Sequence, residues 1–221
     1  MRLRFLTIAL AAAALAGCGG GGGGHATVWV TRDEGRQVMV AKQVPAGLTA
    51  MQALERVAKV DTRYGGRFVE SIDGVEGSLS KQRDWFYFVN GIEADRGATE
   101  YKLHAGDKEW WDYRSWSHGR DHVPVVVGAF PEPFLHGYGG KVRPAVVVGS
   151  GKGARALARL LHARVVTGDP PAGANVLRLG SGTPRFTARQ LPGGAVELDF
   201  AGNALELARR PALYRYRYEV P

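Results

Sequence analysis

Cysteine is almost absent from this sequence, with Cys18 the single one in 221 residues. One thiol excludes a disulfide framework and a multi-thiolate zinc site within the chain. No apolar run long enough to cross a bilayer stands out either, since the stretch at residues 5–17, FLTIALAAAALAG, is only thirteen residues long. A nucleophile elbow around Ser, an H-E-x-x-H pair and paired carboxylates with a local reason to be perturbed are all missing. That leaves no acid, base or nucleophile to name, and the expectation is a protein that is not an enzyme. Apolar and charged residues are present in ordinary amounts, 45% and 23%, which argues against disorder and for a folded soluble body. At roughly 100 to 200 residues per domain, the length allows one large domain or two small ones.

What is present begins with a leader. Arg2 and Arg4 precede the apolar stretch, which has the length of a signal-peptide core. It ends in Leu15-Ala16-Gly17-Cys18, which resembles the bacterial lipobox, in which the Cys is lipidated and becomes the new N-terminus. The order of basic residues, apolar run, small residues and Cys is the one that export and lipidation need, whereas an ordinary secretory cut would leave the Cys incidental. Residues 1–17 are therefore read as a lipoprotein signal peptide, and Cys18 with the glycines up to Gly24 as an anchor and tether. Six consecutive glycines span about 12–15 Å as a random coil, enough to hold a folded body near a membrane surface. The expected location is extracytoplasmic, anchored to the cell membrane.

Loss of Arg2 and Arg4 on maturation lowers the formal net charge from +8 to +6, and the excess is uneven. Residues 25–122 hold 14 basic and 15 acidic side chains, residues 123–221 hold 13 and 6. Two domains are the natural reading, 25–118 and 123–221, the second basic. Outside the cell such a half would meet lipid, teichoic acid or a phosphate-bearing ligand, and nucleic acid is not expected as a partner.

Residues 27–31 and 37–44 alternate around a polar turn and read as a hairpin. Thr49 followed by Gln52 forms a capping box, and Ala50, Leu54, Val57 and Ala58 give the helix that follows one apolar face, ending near Asp61. Residues 67–72, then 84–92 with the tight-turn pair Asn90-Gly91, then 101–103 and 108–113, read as strands. The order ββαβββ is that of a β-grasp, a mixed sheet wrapped across one helix. The residues Tyr64-Gly65-Gly66, Trp85, Tyr87-Phe88-Val89-Asn90-Gly91, Gly97-Ala98, Tyr101-Lys102-Leu103, Gly106-Asp107 and Trp111-Asp112-Tyr113 together resemble the transcobalamin-like C-terminal domain family. The resemblance covers nearly all of residues 27–116. It implies ligand binding without chemistry. Members form the smaller half of vertebrate cobalamin carriers, covering one side of the corrin, and occur also as bacterial surface lipoproteins. Nothing in this sequence resembles the large helical barrel that supplies the other side there; the C-terminal half is the available second wall.

Four of the five tryptophans lie between residues 85 and 116. Alternation puts Trp85 and Tyr87 on one face of their strand and Phe86 and Phe88 on the other, and the expectation places the phenylalanines against the helix as core. Trp85, Tyr87, Trp111, Tyr113 and Trp116 are then the candidate contact face for a flat or apolar ligand. The competing reading is that these rings only pack the sheet and the domain junction. Asn90 and Gly91 are read as structural. His118, Asp121 and His122 share the loop SWSHGRDHVP, with His136 beyond, but their spacing matches no established ligand motif and no metal is assigned.

In the second half, residues 123–127 and 143–149 read as strands, 151–163 as a helix with Ala154, Leu157, Ala158 and Leu161 inward, and 164–167 as a returning strand. Strands at 176–179, 185–191 and 195–200, a short helix at 204–209 and a terminal strand at 213–220 follow, so this half is a small α/β unit in a chain of α+β class. Gly149, Gly151 and Ala154 with Asp169 formally match a dinucleotide fingerprint, but too little chain remains for a doubly wound sheet. Gly151, Lys152 and Gly153 at the helix N-terminus are instead candidates for holding a phosphate or carboxylate. The leading expectation is capture of a small ligand, with cobalamin or a related corrinoid implied by the resemblance, for delivery to importer subunits. The alternatives are an envelope module binding protein or polysaccharide through the aromatic face, and a dinucleotide or metal enzyme.

Overall fold

A computed structural model describes residues 23–220 except His118; the leader, Cys18 and the glycines up to Gly22 lie outside the described residues, as does the His118 member of the histidine loop. No helix among the described residues is long and apolar enough to cross a membrane. Strands β1 (His25–Arg32) and β2 (Gln37–Pro45) form the expected antiparallel hairpin. Helix α1 (Ala50–Glu55) starts at the capping box, with the Thr49 hydroxyl accepting from Gln52 N at 3.2 Å and the Gln52 side chain accepting from Thr49 N at 3.0 Å. It ends earlier than the apolar spacing suggests, because Val57 and Ala58 continue only as turn. A small three-stranded sheet follows, made of β3 (Val60–Arg63), β4 (Phe68–Ile72) and β5 (Val75–Glu76). Strand β6 (Arg83–Val89) turns at Asn90-Gly91 into β7 (Ile92–Glu93), and β8 (Lys108–Ser115) closes the main sheet in the order β2-β1-β8-β6-β7. Strand β8 runs parallel to β1 and antiparallel to β6, which is the mixed β-grasp sheet. Residues 101–103 are not a strand; they lie beside the start of α1 through a bridge between Lys102 and Thr49 and backbone bonds to Gly47, Leu48 and Ala50, with Tyr101 and Leu103 buried.

The second sheet is built after a loop that carries a short helix, α2 (Glu132–Leu135). Strand β9 (Ala145–Val148), helix α3 (Gly151–Leu160) and β10 (Arg164–Val166) form a parallel strand-helix-strand unit. Strands β11 (Asn175–Gly180), β12 (Arg185–Gln190) and β13 (Val196–Ala201) extend it in the order β10-β9-β11-β13-β12, and α4 (Ala204–Arg209) packs beside α3. Ideal Cβ geometry at Gly153 would lie 2.6 Å from the Ala204 side chain, so glycine there allows the two helices to touch. The class is α+β. Two strands expected in this second half are absent as well. Residues 123–127 run as loop into a 3-10 turn with one bridge from Val125 to Ile92, and 213–220 runs through a 3-10 turn, Pro211–Tyr214, with one bridge from Val220 to Phe186.

The main sheet is covered on both faces, and the face assignment expected from alternation is reversed. Trp85, Trp111 and Tyr113 face α1 and are buried with Val28, Val30, Val89 and Leu54. Phe88 and Trp110 occupy the opposite face with Trp29, and there the chain's own C-terminal segment covers them. Tyr216 meets Trp29 edge-on at 4.9 Å, and Tyr218 meets Trp110 at 5.5 Å and Phe88 at 5.7 Å. Alternation sorts side chains into two sets, but which set receives the helix depends on how the crossover between β2 and β6 passes over the sheet.

Glu109 is wholly buried on the α1 side, where its Oε1 accepts from Trp111 Nε1 at 2.5 Å and Oε2 has no partner. Loss of hydration on burial pushes this carboxyl well above its ordinary value of 4.5. Folding therefore favours the protonated acid; this stability is fully present below that ordinary value and is lost as pH rises toward the folded one. Glu109→Gln, which copies the protonated form, is expected to melt above the wild type at pH 7.5 and level with it at pH 4. An equal difference at both pH values would show that the carboxyl is ionised in the fold.

Candidate functional site in the cleft between the two sheets

Asn90 is the residue that brings the two halves together. It sits fully buried at the β6–β7 turn with φ of 53°, a left-handed conformation that Asn tolerates better than most residues. Its Nδ2 donates to Asp107 Oδ1 at 2.7 Å and to the Gly137 carbonyl at 2.9 Å, and its Oδ1 accepts from Lys108 N at 2.8 Å. Gly137 belongs to the loop between α2 and β9, so one amide side chain ties the first sheet to the start of the second. Asp107 in turn accepts from His104 N at 2.8 Å, holding the turn before β8. On the C-terminal side Asn175 does similar work, donating to the Pro133 carbonyl at 3.0 Å and accepting from Val196 N at 3.0 Å.

These ties leave a cleft of about 550 Å³ between the halves. One wall is Ile92, Glu93, Asp95 and Arg96 from the segment after the Asn90 turn, and the other is Pro133, Tyr138, Lys141, Arg143, Gln190 and Gly194. Tyr138 is the ring on its surface. Its hydroxyl donates to Asp95 Oδ1 at 2.7 Å and accepts from Asp95 N at 3.0 Å, and its ring lies 5.1 Å from that of Tyr101. Burial pushes the Tyr138 hydroxyl up to about 12, so it stays a donor at any physiological pH. Arg96 grips Asp95 through Nε at 2.7 Å and Nη2 at 3.1 Å, and this contact with Arg96 holds the Asp95 carboxyl below its ordinary value.

The five aromatic residues expected to contact a ligand lie elsewhere. Trp85, Trp111 and Tyr113 are 7%, 3% and 7% exposed, so they present no open face. Their polar edges are taken by the chain itself, Trp85 Nε1 by the Val75 carbonyl at 2.8 Å and the Tyr113 hydroxyl by the Glu76 carbonyl at 2.9 Å. Tyr87 stacks on Trp111 at 4.7 Å and bonds the Arg96 carbonyl, so it backs the cleft wall from behind. Trp116 is half-buried at the far end of β8. Strand β5 is thus the lid that the aromatic row required, and its two residues gave no strand signal in the sequence.

The glycine turn of α3 is also remote from the cleft. Arg143 precedes β9, Asn175 begins β11 and Gly194 precedes β13, so the cleft opens at the amino ends of the parallel strands. Gly151, Lys152 and Gly153 follow the carboxyl end of β9, where an α/β sheet places its dinucleotide. The Ser150 side chain makes no capping bond there, and Lys152 is exposed. In the histidine loop, His122 Nδ1 pairs with Glu93 and Asp121 is exposed. No group of three or more metal-ligating side chains occurs among the described residues. The cleft residues were missed because Asp95, Arg96, Tyr138 and Lys141 sit in loops far apart in the chain; the one usable signal was the Pro- and Gly-rich segment around Tyr138.

A family model described as a domain of unknown function, DUF4430, matches residues 47–115. No curated protein matches the chain. Among solved structures, one of a protein suggested to bind metal, from Ruminococcus gnavus ATCC 29149, aligns at 19% identity with a TM-score of 0.34, over 42% of this chain and 97% of its own. Haptocorrin in complex with Cbi aligns at 16% identity with a TM-score of 0.32, over 41% of this chain and 25% of its own. Similarity at that level gives no residue of this chain a role.

Asn90→Ala removes three hydrogen bonds and puts a residue that tolerates left-handed backbone less well than Asn at φ 53°, together worth roughly 3–5 kcal/mol. Urea unfolding of the variant is expected to show a loss in that range, while Asn90→Gly relieves only the backbone part. A loss under about 1 kcal/mol would mean that the amide does not join the halves.

Proposed function

We propose that this chain is an extracytoplasmic, lipid-anchored binding protein without catalytic activity, which takes a small ligand into the cleft between its two sheets and delivers it to importer subunits in the membrane. The observation that carries the reading is the cleft itself. At about 550 Å³ it falls within the range of small-molecule sites, roughly 300–1,000 Å³, and both halves of the chain build its walls. Lipidation at Cys18 and anchoring at the membrane rest on the order of features in the leader. Cobalamin or a related corrinoid is the first ligand to test, because the motif resemblance of residues 27–116 implies it. The resemblance and the cleft support each other in one respect: the second half supplies a wall that a β-grasp unit alone lacks.

The alternative of an envelope interaction module draws on a different surface. With the Trp and Tyr row buried, three of the four exposed large apolar side chains of the first half gather around the small sheet, where Tyr64 is 79%, Phe68 44% and Leu79 83% exposed. They rim a shallow hollow of about 240 Å³ with Arg63, Glu70 and Asp84.

Equilibrium dialysis separates the two readings. The chain from Gly23 onward, which holds every described strand and helix, is expected to take up cobalamin saturably. Gln190→Trp, which fills the cleft from an exposed strand end, should abolish uptake, and a Tyr64→Ser, Phe68→Ser double variant should leave it unchanged. Failure of the wild type to bind would discard the corrinoid. A membrane fraction that keeps the full chain after Cys18→Ser substitution would discard the lipid anchor.

A further inference from the structure

The charges that line the cleft are not equally satisfied. Glu93 meets Val123 N at 3.0 Å, Arg114 at 3.6 Å and the His122 ring, and Asp95 is held by both Arg96 nitrogens and the Tyr138 hydroxyl. Both carboxylates of the cleft are therefore already neutralised by the chain. The opposite wall is different. The Arg143 guanidinium reaches two carbonyls, those of Gly173 and Gly193, and no carboxylate. Carbonyl contacts orient a guanidinium without cancelling its charge. Gly194 lines the cleft beside it, where an ideal Cβ would stand 3.4 Å from Arg143 Nη2, within ordinary contact. Lys141, two residues before Arg143, also lines the cleft; it is exposed and has no carboxylate partner among the described residues. Elsewhere in this half, Arg178, Arg189 and Arg210 are each paired with Glu or Asp, while the other eight basic side chains also lack a carboxylate partner among the described residues, so Lys141 and Arg143 are set apart by their place in the cleft.

We infer that the ligand of the cleft carries an acidic group, phosphate or carboxylate, which is received by Lys141 and the pre-oriented Arg143. The inference rests on the cleft being the ligand site and narrows what that site accepts. The acid would lie against the second wall at Lys141 and Arg143, with the body of the ligand toward Ile92 on the first. A neutral ligand of the same size would leave the two cations without an anionic partner.

The test uses inorganic phosphate and citrate as probes, with sodium chloride at matched ionic strength as the control, on the isotope-labelled chain from Gly23 onward. The amides of Gly137, Gly139 and Gly194 line the cleft and serve as reporters. Saturable shifts at these amides with phosphate or with citrate are expected, and the stronger of the two names the acid. Lys141→Gln, whose side chain makes no bond that the fold needs, should weaken the interaction at least roughly tenfold, as loss of a charge-assisted contact would. Arg143→Gln should weaken it further. Shifts no larger than those with chloride, shifts gathered on Lys152, Arg155 and Arg159 of α3, or shifts indifferent to Lys141→Gln would each overturn the inference. Cobalamin uptake that survives both substitutions would keep the cleft and remove the acid; anion shifts without cobalamin uptake would keep the acid and remove the corrinoid.

Discussion

Asn90 makes the arrangement of the whole molecule depend on one side-chain amide. Its donors are split between Asp107, within the first sheet, and Gly137, at the entrance to the second, while its acceptor holds the first residue of β8. Because the residue is fully buried, none of these groups can exchange its partner for water. The bond to Gly137 sets where the loop carrying Tyr138 and Lys141 runs, so the cleft inherits its geometry from a turn that otherwise only reverses a strand. Next to it, the glycine pair-mate Gly91 is required for room, since an ideal Cβ there would lie 2.9 Å from the Val126 carbonyl.

Around that joint the chain spends its aromatic residues on packing. The main sheet has ring-rich faces on both sides, and each needs a cover. Helix α1 and strand β5 close one face; the C-terminal residues 216–218 return to close the other, with Arg215 stacked over Trp29 at 5.6 Å. Gly128 makes that return possible, because an ideal Cβ there would sit 2.5 Å from Arg217 N. The consequence for function is that the surface richest in tryptophan is internal, and recognition falls to a polar cleft with a single ring, Tyr138.

Charge follows the same division of labour. The basic excess of the second half is partly consumed by Glu197, which pairs with both Arg178 and Arg189, and by Glu206 with Arg210. What remains unpaired at the cleft is Lys141 and Arg143, while the first half's carboxylates at the cleft are internally neutralised. A fold that balanced its charge evenly would show no such contrast between opposite walls.

Much of this was legible from residues alone. The capping box at Thr49 and Gln52, the Asn90-Gly91 turn, the hairpin of β1 and β2 and the unit of β9, α3 and β10 are local devices, and each depends on residues within a few positions of one another. Alternation likewise paired Trp85 with Tyr87 and Phe86 with Phe88. What alternation leaves open is which face receives the helix, because both faces here are apolar and the period is the same for either choice. The terminal residues read as a strand since Tyr and Arg alternate there, yet their partner is a set of rings some hundred residues earlier, and ring packing rather than a ladder decides their shape. The cleft was illegible for the same reason. Asp95, Tyr138, Arg143 and Gly194 have no spacing in common, and only the burial of Asn90 against Gly137 brings their loops to face one another. Local order was thus determined by the sequence through short-range sterics and hydrogen bonding, while the site was decided by tertiary structure, because its walls come from segments that only long-range packing can join.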